Sequence, residues 1–166
     1  MGVVLPTLGI GLLVFCLPAR ADWQNTKWGM APEPLAKATG ATLDNDAGVK
    51  PVNDPAALVY SGSYSTGDYH FSSHFYFQDG KLNMIRLAMP NADKATCYAL
   101  RIDLEGKYGR PFDEPRLNGV LQLERWNNAA TNDQVNWTFA GLEGSNLPMM
   151  CELQYKPLVT ERAKGL

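Results

Sequence analysis

The sequence predicts an α+β fold in which helices pack on one face of an antiparallel sheet. Several stretches alternate apolar and polar residues with a period of two, as strands with one buried face do. Residues 92–108 instead follow a helical period, and turn-forming residues separate the segments. The predicted order is helix, three strands, helix, three strands, an order that would fit a tandem duplication.

Residues 1–21 are predicted to be a secretory signal peptide that is cleaved after Ala21. Residues 3–17 form an apolar run, and Ala19, Arg20 and Ala21 match an A-x-A cleavage site. A helix that spans a membrane needs about 20 apolar residues. This run is shorter, so no stable membrane span is expected. Cys16 raises a lipoprotein alternative, although Phe15 stands where such signals carry a small residue. We therefore expect residues 22–166 to form a single periplasmic domain.

Charge and motifs exclude several function classes. The formal net charge is −2, and Lys and Arg form no run or stripe, so neither nucleic acid nor an anionic membrane surface is an expected partner. A Walker loop, a dinucleotide-binding glycine pattern and a G-x-S-x-G elbow are all missing from the sequence. We expect no cofactor and no catalytic residue.

The first half contains one predicted helix and three predicted strands. Pro32 and Glu33 suit the first turn of a short helix that Gly40 ends. Residues 42–56, rich in Asp, Asn, Gly and Pro, predict a loop. Three strands then follow, separated by a turn at 66–68 and an Asp-Gly hairpin at 79–80, and they cover residues 57–65, 69–78 and 81–89.

The second half repeats this order. Helical spacing over residues 92–108 places four residues on one stripe: Cys97, Leu100, Leu104 and Tyr108. Three more strands are predicted at 120–126, 134–140 and 149–156. The last two alternate cleanly, which is typical of strands with one face in the core and one in water.

Cys97 and Cys151 are predicted to form a disulfide. They are the two cysteines that remain after signal cleavage, and an even count is typical of exported proteins. The spacing is too long for a C-x-x-C redox or metal motif. Both side chains are predicted to face the same interior, and a bridge closing this loop would stabilise the fold by about 4 kcal/mol.

His70 and His74 are the two histidines of the chain, four residues apart. On a helix they could share a zinc ion. On the strand predicted at 69–78 they would stand about 13 Å apart, too far for zinc–nitrogen bonds of about 2 Å. We therefore expect no metal site. Phe71, Phe75 and Phe77 are predicted to face the core, and the polar residues between them to face outward.

The outward positions leave two interpretations open. They can be ordinary solvated strand surface, or a recognition face, since aromatic residues with polar tips are enriched at interfaces. The candidate interaction face consists of Tyr60, Tyr64, His70, His74 and Tyr76. Trp23 and Trp28 could likewise stack on a ligand, or fix the chain end onto the sheet.

Three short pieces carry a resemblance: KWGMAPE at 27–33, F-x-F-x-D-G-K-L at 75–82 and L-x-x-x-Y-G-x-P at 104–111. Together they resemble small exported bacterial α+β proteins and, more distantly, the SmpA/OmlA-type outer-membrane lipoproteins and β-lactamase-inhibitor-protein-like domains. The resemblance implies helices against an antiparallel sheet and function by protein binding. The lipobox of the lipoprotein families is absent here. Ala31 and Pro34 replace a polar cap and a helix former, which should shorten the first helix.

These observations predict a periplasmic, non-enzymatic module for protein binding or envelope maintenance, whose partner is another periplasmic or envelope protein. One alternative is a small-molecule or lipid binder that uses the concave sheet face, which would require an apolar pocket of several hundred cubic ångström. A second alternative is a hydrolase whose site is assembled from dispersed residues, which would require titratable groups that converge with shifted pKa values.

Overall fold

The computed structural model describes residues 23, 25–46, 57–113, 121–141 and 149–158; the predicted signal peptide lies outside them. Within these residues two helices and seven strands form an α+β domain with one antiparallel sheet of order β1-β2-β3-β4-β7-β6-β5. Along the chain the elements are α1 (Pro32–Thr39), β1 (Thr42–Asp44), β2 (Leu58–Thr66), β3 (Tyr69–Gln78), β4 (Lys81–Ala88), α2 (Lys94–Tyr108), β5 (Leu121–Asn128), β6 (Asp133–Ala140) and β7 (Met150–Pro157).

The predicted order of helix, three strands, helix, three strands is wrong in one respect. In the described part of the chain four strands lie between the helices, because Thr42–Asp44 forms β1 at the sheet edge within the stretch expected to be a loop. Thr42 pairs with Ser61 and Asp44 with Val59. Three residues are too few to show the alternation by which a strand is identified in a sequence.

The sheet consists of two meanders joined at its centre. Strands β2, β3 and β4 form one meander, and β5, β6 and β7 form the other. The last strand of each meander pairs with the last strand of the other, with Leu87 opposite Leu153. The Asp79–Gly80 hairpin is confirmed, and both of its residues adopt positive φ angles of 51° and 69°.

The main core lies on the face of the sheet that α2 covers. Phe71, Phe75 and Phe77 of β3 are buried there, as their alternation predicts. They pack in one cluster with apolar residues of α1, α2, β4, β6 and β7, namely Leu35, Cys97, Leu100, Leu104, Ile85, Leu87, Val135, Trp137, Phe139 and Leu153. We call this side the inner face and the opposite side the outer face.

The two helices begin differently. Asp93 caps α2 by accepting a hydrogen bond from the Thr96 backbone amide at 2.7 Å. Ala31 precedes α1 and supplies no side-chain cap, and the helix ends after eight residues at Gly40 in the left-handed conformation. This short helix agrees with the expectation drawn from Ala31 and Pro34.

Three side-chain links fix α2 against the sheet. The predicted disulfide between Cys97 of α2 and Cys151 of β7 is confirmed. Arg101 Nε donates to Glu124 Oε1 of β5 at 2.7 Å, and Glu124 is only 1 % exposed. Tyr98 donates its hydroxyl to Gln122 of β5 at 2.6 Å. A buried carboxylate is costly without a partner, so the Arg101 contact is needed where the helix crosses β5.

Neither helix in the described part of the chain has the length and apolar character needed to cross a membrane.

Candidate functional site

A cavity of about 630 Å³ lies between the inner face of the sheet and α2, and it is partly open to solvent. We call it the ring cavity because six aromatic side chains line it. The rings belong to Trp23, Tyr64, Tyr69, Phe71, Tyr108 and Tyr155, and the remaining wall includes Leu100, Leu104, Leu153, Asp103, Asp133 and Lys107.

Aromatic contacts hold one wall of the ring cavity in place. The ring of Trp23 meets Tyr64 edge to face, with 4.9 Å between ring centroids, and Phe75 at 5.3 Å. Tyr64 stacks on Phe71 at 6.0 Å. Contacts of this geometry are favourable and directional, so the wall exists before any ligand arrives. Trp23, one of the two candidate stacking tryptophans, is 7 % exposed and both closes the core and lines the cavity.

The turn between β2 and β3 explains why these rings meet. Thr66 pairs with Tyr69, so only Gly67 and Asp68 connect the strands. Gly67 has a φ of 54°, a conformation that glycine adopts without the strain a side chain would add. The register that follows places Tyr64 opposite Phe71 and Tyr60 opposite Phe75, all on the inner face.

Among the residues that the structure describes, two carboxyl groups and one ammonium group line the ring cavity. Asp133 is 6 % exposed, and its Oδ1 accepts a hydrogen bond from Trp28 Nε1 at 2.7 Å. Asp103 of α2 accepts a hydrogen bond from the Tyr69 hydroxyl at 2.6 Å. The Lys107 ammonium lies 4.9 Å from the centroid of the Tyr108 ring. The polar groups therefore come from α2 and from the start of β6.

The surroundings keep two phenols of the cavity neutral. Burial, followed by the hydrogen bond to Asp103, raises the pKa of Tyr69 to about 12. Burial is the largest cause that raises the pKa of Tyr155 well above its ordinary value. The electrostatic interaction and the hydrogen bond with Tyr108 are the next causes. Both hydroxyl groups therefore remain protonated donors at physiological pH.

The five residues of the predicted interaction face do not share one side of the sheet. Tyr60 and Tyr64 lie on the inner face, packed against the main core. His70, His74 and Tyr76 lie on the outer face, and Tyr76 is only 4 % exposed. The prediction assigned no register between β2 and β3. The short turn at 66–68 could have supplied it, because a short turn fixes which residues of the two strands lie opposite each other.

Each histidine contacts a serine directly across the strand pair. His74 Nδ1 lies 2.8 Å from Ser61 Oγ, and His70 Nδ1 lies 2.8 Å from Ser65 Oγ. The two imidazoles thus have separate partners along an extended strand. Among the residues that the structure describes, no group of three or more His, Cys, Asp or Glu side chains could hold a metal ion.

The outer face carries a polar cluster around His74. Arg86 Nε donates to Glu152 Oε2 at 2.7 Å, and Gln154 Nε2 donates to Glu152 Oε1 at 3.1 Å. Burial, and then the charge of Arg86, lower the pKa of His74. A serine beside a neutral imidazole could in principle act as a nucleophile. Ser61 and His74 both sit in strands that are paired on both sides at these positions, so their own backbone groups take part in the sheet.

Sequence reasoning missed the polar groups of the ring cavity. It did not identify Asp103 or Asp133 as site residues. Asp133 stands at the first position of β6, opposite Asn128 and Pro157. Asp133 and Trp28 are 105 positions apart and are brought together by the folded sheet. No pattern in the local sequence therefore indicates their contact.

No protein-family model, curated protein or solved structure matches this chain. The resemblance to SmpA/OmlA-type and β-lactamase-inhibitor-protein-like domains therefore stays a prediction.

Proposed function

We propose that this protein binds a small molecule in the ring cavity. The observation that carries the proposal is a cavity of about 630 Å³ with six aromatic side chains in its wall. Ligand pockets span about 300–1,000 Å³ and combine apolar and aromatic walls with a few polar groups that orient the ligand. The ring cavity has this size and this composition.

The wall of the cavity is fixed from two sides, which favours binding. The Cys97–Cys151 bridge and the Arg101–Glu124 ion pair hold α2 in place. The contacts of Trp23 with Tyr64 and Phe75 hold the opposite wall. A site that is ordered before the ligand arrives loses less conformational entropy on binding.

The other predicted functions have less geometric support. Protein binding through the aromatic face was argued from five residues that lie on both sides of the sheet. A hydrolase needs an activated nucleophile with donors for the developing oxyanion, and the Ser61–His74 pair lies in a continuous ladder. Both functions stay predictions, and neither has an observation that favours it over ligand binding.

We infer that the protein binds its ligand in an oxidising compartment. The disulfide of Cys97 and Cys151 supports export, because such bridges persist mainly outside the reducing cytosol. The signal sequence proposed for residues 1–21 lies outside the described residues. Edman sequencing of exported protein should begin at Asp22.

The neutral dye N-phenyl-1-naphthylamine tests the proposed function, because its fluorescence rises in an apolar site. Wild-type protein should enhance the emission, and Thr66→Trp should reduce the enhancement because the indole occupies part of the cavity. Ser63→Trp is the matched control, since Ser63 lies on the same strand and is exposed on the outer face. Equal enhancement by both variants would refute binding in the ring cavity.

A further inference from the structure

Among the described residues that line it, the ring cavity has two carboxylates and one ammonium group. Asp133 lies deep in the wall and is 6 % exposed, whereas Asp103 and Lys107 are exposed residues of α2. Asp133 already accepts a hydrogen bond from Trp28, so it acts on a ligand through its charge. In a partly enclosed site water screens charges less, and two carboxylates beside one ammonium group favour a ligand with a positive charge. An anion would meet like charge from both carboxylates.

The rings provide a second reason to expect a positive charge. Aromatic faces attract cations through the ring quadrupole, and the attraction grows when water is excluded. The protein itself shows such a contact, because the Lys107 ammonium lies 4.9 Å from the centre of the Tyr108 ring. Five other rings face the same space, those of Trp23, Tyr64, Tyr69, Phe71 and Tyr155.

Resting on the proposed function, we propose that the ligand of the ring cavity is an organic cation, an ammonium group carried on an apolar body. The ammonium group lies against Asp133 and the neighbouring rings. The apolar body lies along Leu100, Leu104 and Leu153. Lys107 opposes the ligand charge at the helix side and lowers the affinity.

The test compares benzyltrimethylammonium with neopentylbenzene, its neutral isostere, and with the anion benzenesulfonate. Dissociation constants are measured through tryptophan fluorescence, because Trp23 lies in the cavity wall. The cation should bind at least about tenfold more tightly than the neutral isostere, the scale expected for ring and carboxylate contacts in a partly desolvated site. Benzenesulfonate should bind more weakly than either.

Charge variants give the matched comparison. Asp133→Asn and Asp103→Asn should each weaken binding of the cation, by about tenfold and about threefold respectively, while Lys107→Gln should strengthen it by about threefold. Asp79→Asn removes the same charge in the β3–β4 turn, at the opposite end of β3, and should leave the affinity unchanged. Circular dichroism should be used to check that each variant is folded. If Asp133→Asn does not fold, the variants of the exposed Asp103 and Lys107 still test the proposal.

Two further outcomes separate this inference from the proposed function. Equal affinity for the cation and its neutral isostere, with no effect of either aspartate variant, would overturn the cationic ligand and leave small-molecule binding standing. Failure of both compounds and of N-phenyl-1-naphthylamine to bind would overturn both proposals.

Discussion

At the scale of single residues, His74 is a titratable group whose surroundings oppose its charge. It lies on the outer face of β3, opposite Ser61 on one side and Arg86 on the other. Burial is the largest cause that lowers its pKa, and the Arg86 charge is the second; Asp44 and Glu152 act weakly in the opposite direction. The folded protein therefore holds a proton at His74 less readily than the unfolded chain does.

This difference predicts a loss of stability in mild acid. Stability due to neutral His74 is fully present above the ordinary histidine pKa of about 6.5, and it is lost as the pH falls through that value toward the lower folded pKa. Urea unfolding at about pH 8 and about pH 5 should show a smaller acid-induced loss for His74→Gln than for wild type. His70→Gln, on the same strand, retains His74 and should behave as wild type does. An identical loss in all three proteins would contradict the argument.

The face of the sheet on which each β3 side chain lies was predictable from the sequence, but the burial of the outer-face side chains was not. The period of two in β3 correctly placed His70 and His74 opposite to Phe71 and Phe75. Periodicity identifies the face of a residue but not what packs against that face. Tyr76 lies on the predicted outward side and is nevertheless 4 % exposed, in a small cluster with Ala57 and Val59.

At the scale of secondary-structure elements, the disulfide attaches α2 to β7 across a sequence separation of 54 residues. The bridge restricts the unfolded chain, and in the chain-entropy model a loop of this length contributes about 4 kcal/mol. The double variant Cys97→Ala/Cys151→Ala should therefore unfold at lower urea concentration, with a free energy of unfolding smaller by about 4 kcal/mol.

Dithiothreitol provides the control for this prediction. It should destabilise wild type by a similar amount and leave the double alanine variant unaffected, because that variant has no bridge to reduce. The Arg101–Glu124 ion pair and the Asp93 cap remain in both proteins, so we expect α2 to persist in the far-ultraviolet circular dichroism spectrum. An unchanged unfolding midpoint after reduction of wild type would refute a stabilising role for the bridge.

Most elements were predictable because their signals are local. The strand predicted at 69–78 has these same bounds in the structure, and the helix predicted at 92–108 begins at Lys94. Strand β1 is the exception. Its place in the sheet depends on pairing with Ser61 and Val59 and not on any pattern in its own three residues.

At the scale of the whole molecule, the order of the sheet could not be predicted from the same signals. Alternation tells which residues of β4 and β7 face inward, but it does not say that these two strands are neighbours. Their pairing joins the two meanders, and it places Leu87 against Leu153 and Ile85 against Tyr155. The two meanders meet through their last strands, an arrangement compatible with tandem duplication, although β1 extends only the first. The duplication stays a prediction.

This central pairing predicts that the two meanders unfold together. One buried cluster contains residues of both, from Phe71 and Leu87 to Trp137 and Leu153, so neither meander keeps its core without the other. Urea unfolding followed by tryptophan fluorescence and by circular dichroism should give one coincident transition.

Leu87→Ala, at a position 1 % exposed, should shift that transition as a whole, with a loss of about 2–5 kcal/mol. Ile102→Ala, at a position 63 % exposed, is the control and should shift it little. Two separate transitions, or a Leu87→Ala effect seen by one probe only, would show that the meanders are independent units. The wall of the ring cavity takes Tyr64 from one meander and Tyr155 from the other, so independent meanders would deprive the cavity of the fixed geometry that the proposed ligand binding requires.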